Sequence, residues 1–122
     1  MDDAIRQALG HSQTIDIMTT GRKTGLPRRI EIVVFNFDGR LYISGRPSQR
    51  RRSWLANLDA DPAFTLHLKR TVRADLPATA REITDPDERR AILGRVAGAW
   101  RRTDLDAMVA YSPLVEVTIS DA

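Results

Sequence analysis

Thr19-Thr20-Gly21-Arg22-Lys23-Thr24-Gly25-Leu26-Pro27-Arg28-Arg29 is the stretch on which the fold turns. Upstream of it Ile15 and Ile17 alternate with Asp16 and Met18, the period of a half-buried strand. Downstream, Ile30, Ile32 and Val34 share one face of a second, longer strand, and Glu31, Val33 and Phe35 share the other, so both faces are partly covered. Two glycines thus frame a basic turn between two strands.

The same reasoning carries outward. Phe37-Asp38-Gly39-Arg40 places Asp-Gly where a tight type I′ hairpin needs positive φ, which makes Leu41 to Ser44 an antiparallel third strand. After a basic loop from Gly45 to Arg52, Ser53 is placed to cap a helix carrying Trp54, Leu55 and Leu58 inward, stopped by Asp61-Pro62. Phe64, Leu66 and Leu68 alternate with Thr65, His67 and Lys69 in a fourth strand. Val72 to Ile83 reads as a fifth, with Pro77 at an edge or bulge. Asp85-Pro86-Asp87-Glu88 starts a helix, Asp85 capping and Glu88 reaching back, with Ile92, Leu93, Val96, Ala97 and Trp100 on its apolar face. A short helix through Leu105, Met108 and Val109 ends at Ser112-Pro113, and Val115, Val117 and Ile119 form a last strand. Ile5, Ala8 and Leu9 give a short helix before Gly10. The chain is mainly β with inserted helices, a strand meander that suggests a small barrel or curled sheet.

Its 122 residues, 42% hydrophobic and 29% charged, suit one folded domain over 1–122, alone or as a homodimer. There is no cysteine, hence no disulfide or thiolate chemistry, and His11 and His67 are too few and too far apart for a metal site. No apolar run approaches a membrane span and Met1-Asp2-Asp3 lacks the basic start of a signal peptide, so a cytoplasmic location is expected.

The net charge is only +3, but nine of the 19 lysines and arginines lie between Arg22 and Arg52, against Glu31 and Asp38 alone. Converging backbone N–H groups and cations in the turn make a phosphate cradle; the competing reading is a solvated hairpin whose arginines serve solubility. Neither the P-loop nor the dinucleotide fingerprint is present. Nucleic-acid binding through Arg50-Arg51-Arg52 is disfavoured, since aromatic residues make up 6% of the chain and none interleaves that run.

The order Thr-Thr-Gly-Arg-Lys-Thr-Gly-Leu-Pro-Arg, then Gly39 and Tyr42, then Ser44-Gly45-Arg46, then Trp54, Asn57-Leu58 and Asp61-Pro62, resembles the deazaflavin (F420)-dependent nitroreductase and quinone reductase family over roughly residues 14–69. The resemblance implies a split β-barrel, like those of FMN-binding proteins and pyridoxamine phosphate oxidase. It also implies hydride transfer from reduced F420, or from FMN, to a quinone, nitroaromatic or similar acceptor. By the same resemblance Arg22, Lys23, Thr24 and Arg28 hold the coenzyme's phosphate and acidic tail. Ser44, Gly45 and Arg46 line the ring's edge, Ile32 and Val33 back the ring, and Trp54 walls its pocket. Arg46 to Ser53 departs from the Lys-Gly-Gly of many relatives, and the extra arginines are expected to compensate for the lost glycines. A non-catalytic carrier of a flavin, tetrapyrrole or fatty acid in the same pocket is the alternative.

Single residues carry rival readings. Arg28 and Arg29 point to opposite faces of their strand, and the resemblance selects Arg28. Trp54 serves the core, the ring, or both. Tyr111 either packs or supplies the proton that accompanies hydride addition. His67 is expected on the wetter face of its strand, as a structural residue. No Ser-His-Asp set or close carboxylate pair can be assembled, which disfavours hydrolysis.

Overall fold

The computed structural model describes residues 1–120. Six antiparallel strands, β1 (Gln13–Thr20), β2 (Pro27–Phe37), β3 (Arg40–Ser44), β4 (Ala63–Lys69), β5 (Arg73–Glu82) and β6 (Leu114–Ile119), close into a barrel in the order β1-β2-β3-β6-β5-β4. The expected meander is two meanders, β1-β2-β3 and β4-β5-β6, joined through the β1–β4 and β3–β6 pairs. Four helices fill the gaps: α1 (Asp3–Leu9), α2 (Ser53–Ala60), α3 (Pro86–Trp100) and α4 (Leu105–Tyr111). None is long and apolar enough to cross a membrane.

Period-two alternation sends each strand's apolar set to a different core. Ile15, Ile17, Val34, Ile43, Leu66, Leu68 and Val115 fill the barrel, which Leu9 of α1 and Trp54, Leu55 and Leu58 of α2 plug. Phe35, Tyr42 and Leu114 point outward instead and pack under Leu93, Val96 and Ala97 of α3 and Met108 of α4. The Val34/Phe35 pair thus divides between the two cores, as a strand covered on both faces requires. Asp38 and Gly39 have φ of 56° and 87°, which is the type I′ geometry read from Asp-Gly.

Four local expectations are corrected. Arg52, in extended conformation, takes the N-cap position of α2 with no side-chain cap bond, and Ser53 is already helical. The Glu88 carboxylate does not reach back to its helix start; Arg81 takes it at 2.8 Å, leaving Asp85 to accept the Glu88 N–H alone at 2.9 Å. Pro77 is neither a bulge nor on an open edge strand. Its carbonyl accepts from Ser120 N–H at 2.8 Å, so its missing N–H faces the point where β6 has just ended. His67 is buried at 5% exposure rather than wet, because β4 lies between β1 and β5 and places it between Asp16 and Asp75. Its Nδ1 lies 2.6 Å from Asp75 Oδ1.

One charged side chain binds the outer layer to the barrel. Arg89 of α3, half-buried and without a carboxylate partner among the described residues, donates to the carbonyls of Ile83 (2.9 Å), Val109 (2.9 Å), Met108 (3.3 Å) and Ser112 (2.6 Å). The guanidinium fork alone has enough donors for this, and it satisfies the carbonyls at the end of α4. Arg89→Met should therefore destabilise the fold by roughly 1.5–3 kcal/mol, the range for hydrogen bonds to a charged donor, measured by urea denaturation.

Outside the barrel, Asp16 accepts from Lys69 Nζ at 2.7 Å and Arg29 Nε at 2.9 Å, and Lys69 also holds Glu31. These bonds, that from Lys69 foremost, keep the Asp16 carboxyl below its ordinary value. A group depressed on folding stabilises above its unfolded pKa and loses that contribution as pH falls through the folded one. Asp16→Asn should accordingly flatten the fall in urea midpoint between about pH 5 and about pH 2 relative to the parent protein.

Candidate functional site

The turn from Gly21 to Leu26 links β1 to β2 and is closed by its own backbone. Gly21 N–H donates to Leu26 O and Gly25 N–H to Gly21 O, both at 2.8 Å, with Gly25 at φ 72°. A Cβ on Gly21 would stand 2.9 Å from Thr24 Oγ1 and 3.0 Å from Leu26 O, so a side chain there would force the loop to shift. Thr24 Oγ1 accepts the Leu26 N–H at 3.2 Å.

Asn57 of α2, 3% exposed, fixes the turn from below. Its Oδ1 accepts from the Arg22 backbone N–H (3.1 Å) and from Arg22 Nη1 (2.9 Å), and its Nδ2 donates to Thr19 Oγ1 (3.1 Å). The Arg22 guanidinium is thereby pinned at the mouth of a cavity of about 470 Å³, whose walls also include Lys23, Thr24, Arg28 and Trp54. No carboxylate lines it. Lys23 and Arg28 are exposed and make no hydrogen bond or ion pair among the described residues, while Arg29 turns to Asp16.

A second cavity, of about 460 Å³, is lined by Ile32, Val33, Ser44, Gly45, Arg46, Arg52, Trp54, Trp100 and Arg102. Its apolar walls come from β2 and the two tryptophans; Trp100 is held edge-on against Phe35 with ring centroids 5.2 Å apart. Ser44 Oγ donates to Pro113 O at 2.7 Å, so its hydroxyl is already engaged. Arg52 Nη2 donates to Arg46 O at 2.6 Å, and the Arg46 guanidinium has no partner among the described residues. Arg102 is chelated by Asp104, at 2.8 and 2.6 Å, which holds the Asp104 carboxyl below its ordinary range.

The sequence-derived residues therefore fall into two groups. Arg22, Lys23, Thr24 and Arg28 surround the first cavity, Ile32, Val33, Ser44, Gly45 and Arg46 the second, and Trp54 lines both. Tyr111 is not brought together with them; its ring, half exposed, lines a third cavity. Nor does the whole arginine run extend the cradle, since Arg51 is consumed by Asp59 and Glu82. Asn57, Trp100 and Arg102 were not singled out as site residues. For Asn57 a signal existed: an amide among Trp54, Leu55 and Leu58 on the apolar face of a helix needs a buried polar partner. Trp100 reads only as helix core, and Arg102 follows a helix end that sequence does not place in space.

A basic cavity without acids, joined at one tryptophan to an apolar slot, suits an anionic molecule bearing a planar ring. No group of three or more metal-ligating side chains occurs among the described residues.

Among solved structures, an F420-H2 dependent reductase matches with TM-score 0.62 and 20% identity over 86% of this chain and 93% of its own. A FAD-binding protein from Mesorhizobium loti matches with TM-score 0.63 and 13% identity over 99% and 91%. A protein of unknown function from Agrobacterium tumefaciens matches at TM-score 0.71 and 19% identity over 98% of this chain, which spans 57% of that protein's length. At these identities the likeness shows a shared fold, the split β-barrel. The family model for F420H2-dependent quinone reductase matches residues 4–108, and with that span covered the chain belongs to the F420H2-dependent quinone reductase family of oxidoreductases.

Proposed function

We propose that this protein reduces a quinone, nitroaromatic or similar unsaturated acceptor with reduced F420, and that FMN binds the same site less tightly. The observation that carries this reading is the pair of cavities meeting at Trp54, one cationic and free of carboxylates, the other walled by Ile32, Val33, Trp54 and Trp100. When bound, the coenzyme supplies the hydride; the protein needs no nucleophile of its own.

The chain's residues do the rest. Lys23 and Arg28 neutralise phosphate and the acidic tail, and Thr24 adds a hydroxyl within the same turn. Arg22, oriented by Asn57, is pre-organised rather than recruited on binding. Ile32, Val33 and Trp54 exclude water from the ring slot, and the Ser44-Gly45 backbone and Arg46 meet the ring's polar edge.

Lys23→Ala combined with Arg28→Ala should weaken F420 affinity roughly tenfold to a hundredfold in a fluorescence titration, as expected for two exposed charge-assisted contacts. The loss should shrink as salt is raised. Unchanged affinity would remove the cradle from the site, and tighter FMN than F420 binding in calorimetry would overturn the coenzyme assignment. Saturable F420 binding with no oxidation by a panel of quinones and nitroaromatics would point to a carrier instead.

Asn57→Ala should free Arg22 and leave Thr19 Oγ1 without its donor. We expect F420 to dissociate several-fold faster in stopped-flow displacement, with FMN, which lacks the long acidic tail, less affected. Equal effects on both ligands would mean that Asn57 acts through the ring slot rather than through the cradle.

A further inference from the structure

We propose that the cavity beside Tyr111 is a second binding site, for a small molecule bearing a carboxylate or phosphate group, separate from the cradle. It measures about 320 Å³, the lower end of the range for small-ligand pockets, and shares no lining residue with the cradle. Four arginines line it, Arg50, Arg51, Arg52 and Arg89, against a single carboxylate, Glu82.

The pairing of these groups shows what remains for a ligand. Glu82 is taken by Arg51, and Arg89 is held by four carbonyls, so its charge is fixed in place and unneutralised. Arg50 has no side-chain partner among the described residues. Its backbone N–H donates to Ser48 Oγ at 3.1 Å, and Ser48 N–H donates to Tyr111 O at 3.2 Å, so the loop that presents Arg50 is tied to the end of α4.

A second, independent observation comes from Ser112. This lining residue is 4% exposed and its Oγ has no hydrogen-bond partner, an unusual state for a buried hydroxyl. The hydroxyl is closed to solvent as placed and meets a ligand only by rotation about χ1, so the exposed, unpaired Arg50 guanidinium is the group open to an anionic oxygen. The Tyr111 ring, 49% exposed, and Leu55 and Pro113 supply apolar surface for the body of such a ligand. This assigns a role to the two sequence features that the cradle leaves unused, the arginine run and Tyr111.

The test is residue-resolved NMR titration of the full chain with inorganic phosphate and with succinate, using succinamide as the neutral control. The expected result is saturable movement of the Gln49, Arg50 and Ser112 backbone amides with at least one anion and not with succinamide. The tighter of the two identifies phosphate or carboxylate as the preferred head group. Arg50→Gln should weaken that response at least fivefold while leaving anion-induced shifts at Gly21 and Gly25 and the thermal midpoint unchanged. Shifts confined to Gly21 and Gly25, an equal response to succinamide, or a response indifferent to Arg50→Gln would each overturn the proposal. The readout needs no F420, so its outcome is independent of the coenzyme assignment.

Discussion

Closure of the barrel is the constraint on which everything else depends. Six strands short enough to fit a 120-residue structure cannot leave an edge unpaired without inviting association, and the β1–β4 and β3–β6 ladders remove both edges at once. Closing the sheet leaves an apolar interior open at its ends and an apolar outer strip on β2, β3 and β6. Helices α1 and α2 fill the first and α3 and α4 cover the second, so each helix has one place to go. Arg89 then locks the outer pair to the barrel through four carbonyls, of which Met108 O also accepts the Ser112 N–H.

The site follows from that division. Because α2 plugs the barrel, Asn57 on its inner face meets the β1–β2 turn and Trp54 meets the β2 wall, so one eight-residue helix positions both cavities. Lys23 and Arg28 keep their charge free there while other cations take the carboxylates: Lys69 and Arg29 take Asp16, Arg51 takes Glu82 and Asp59, and Arg102 takes Asp104. The resulting asymmetry of local charge, rather than the modest net charge, is what favours an anion.

Much of this was legible in the chain itself. Alternation placed five of the six strands to within a residue or two, β2 beginning three residues before its pattern showed, and Asp38-Gly39 set the β2–β3 hairpin. The glycine-framed turn was legible as a turn, because Gly21 and Gly25 mark where the chain must reverse tightly. What escaped were facts created by pairing across the fold. His67 reads as wet because sequence shows its own strand and not the two beside it. Glu88 reads as half of a capping box because Arg81, which takes it, lies on β5 and is brought close only by folding. Tyr111 lines a different cavity from Ile32, Val33, Ser44, Gly45 and Arg46, and no local pattern specifies the path of the loop after Ser44 that decides this.

The insertion of β6 between β3 and β5 has a kinetic meaning as well. As the chain leaves the ribosome, β1, β2 and β3 can pair locally, and β4 and β5 can add to the free side of β1. The edge of β3 stays bare until residues beyond Leu114 appear, some 70 positions after β3 itself. The slowest contacts to form are thus the ones that seal the sheet, and the half-built barrel passes through a stage with a sticky β3 edge and an uncovered apolar strip.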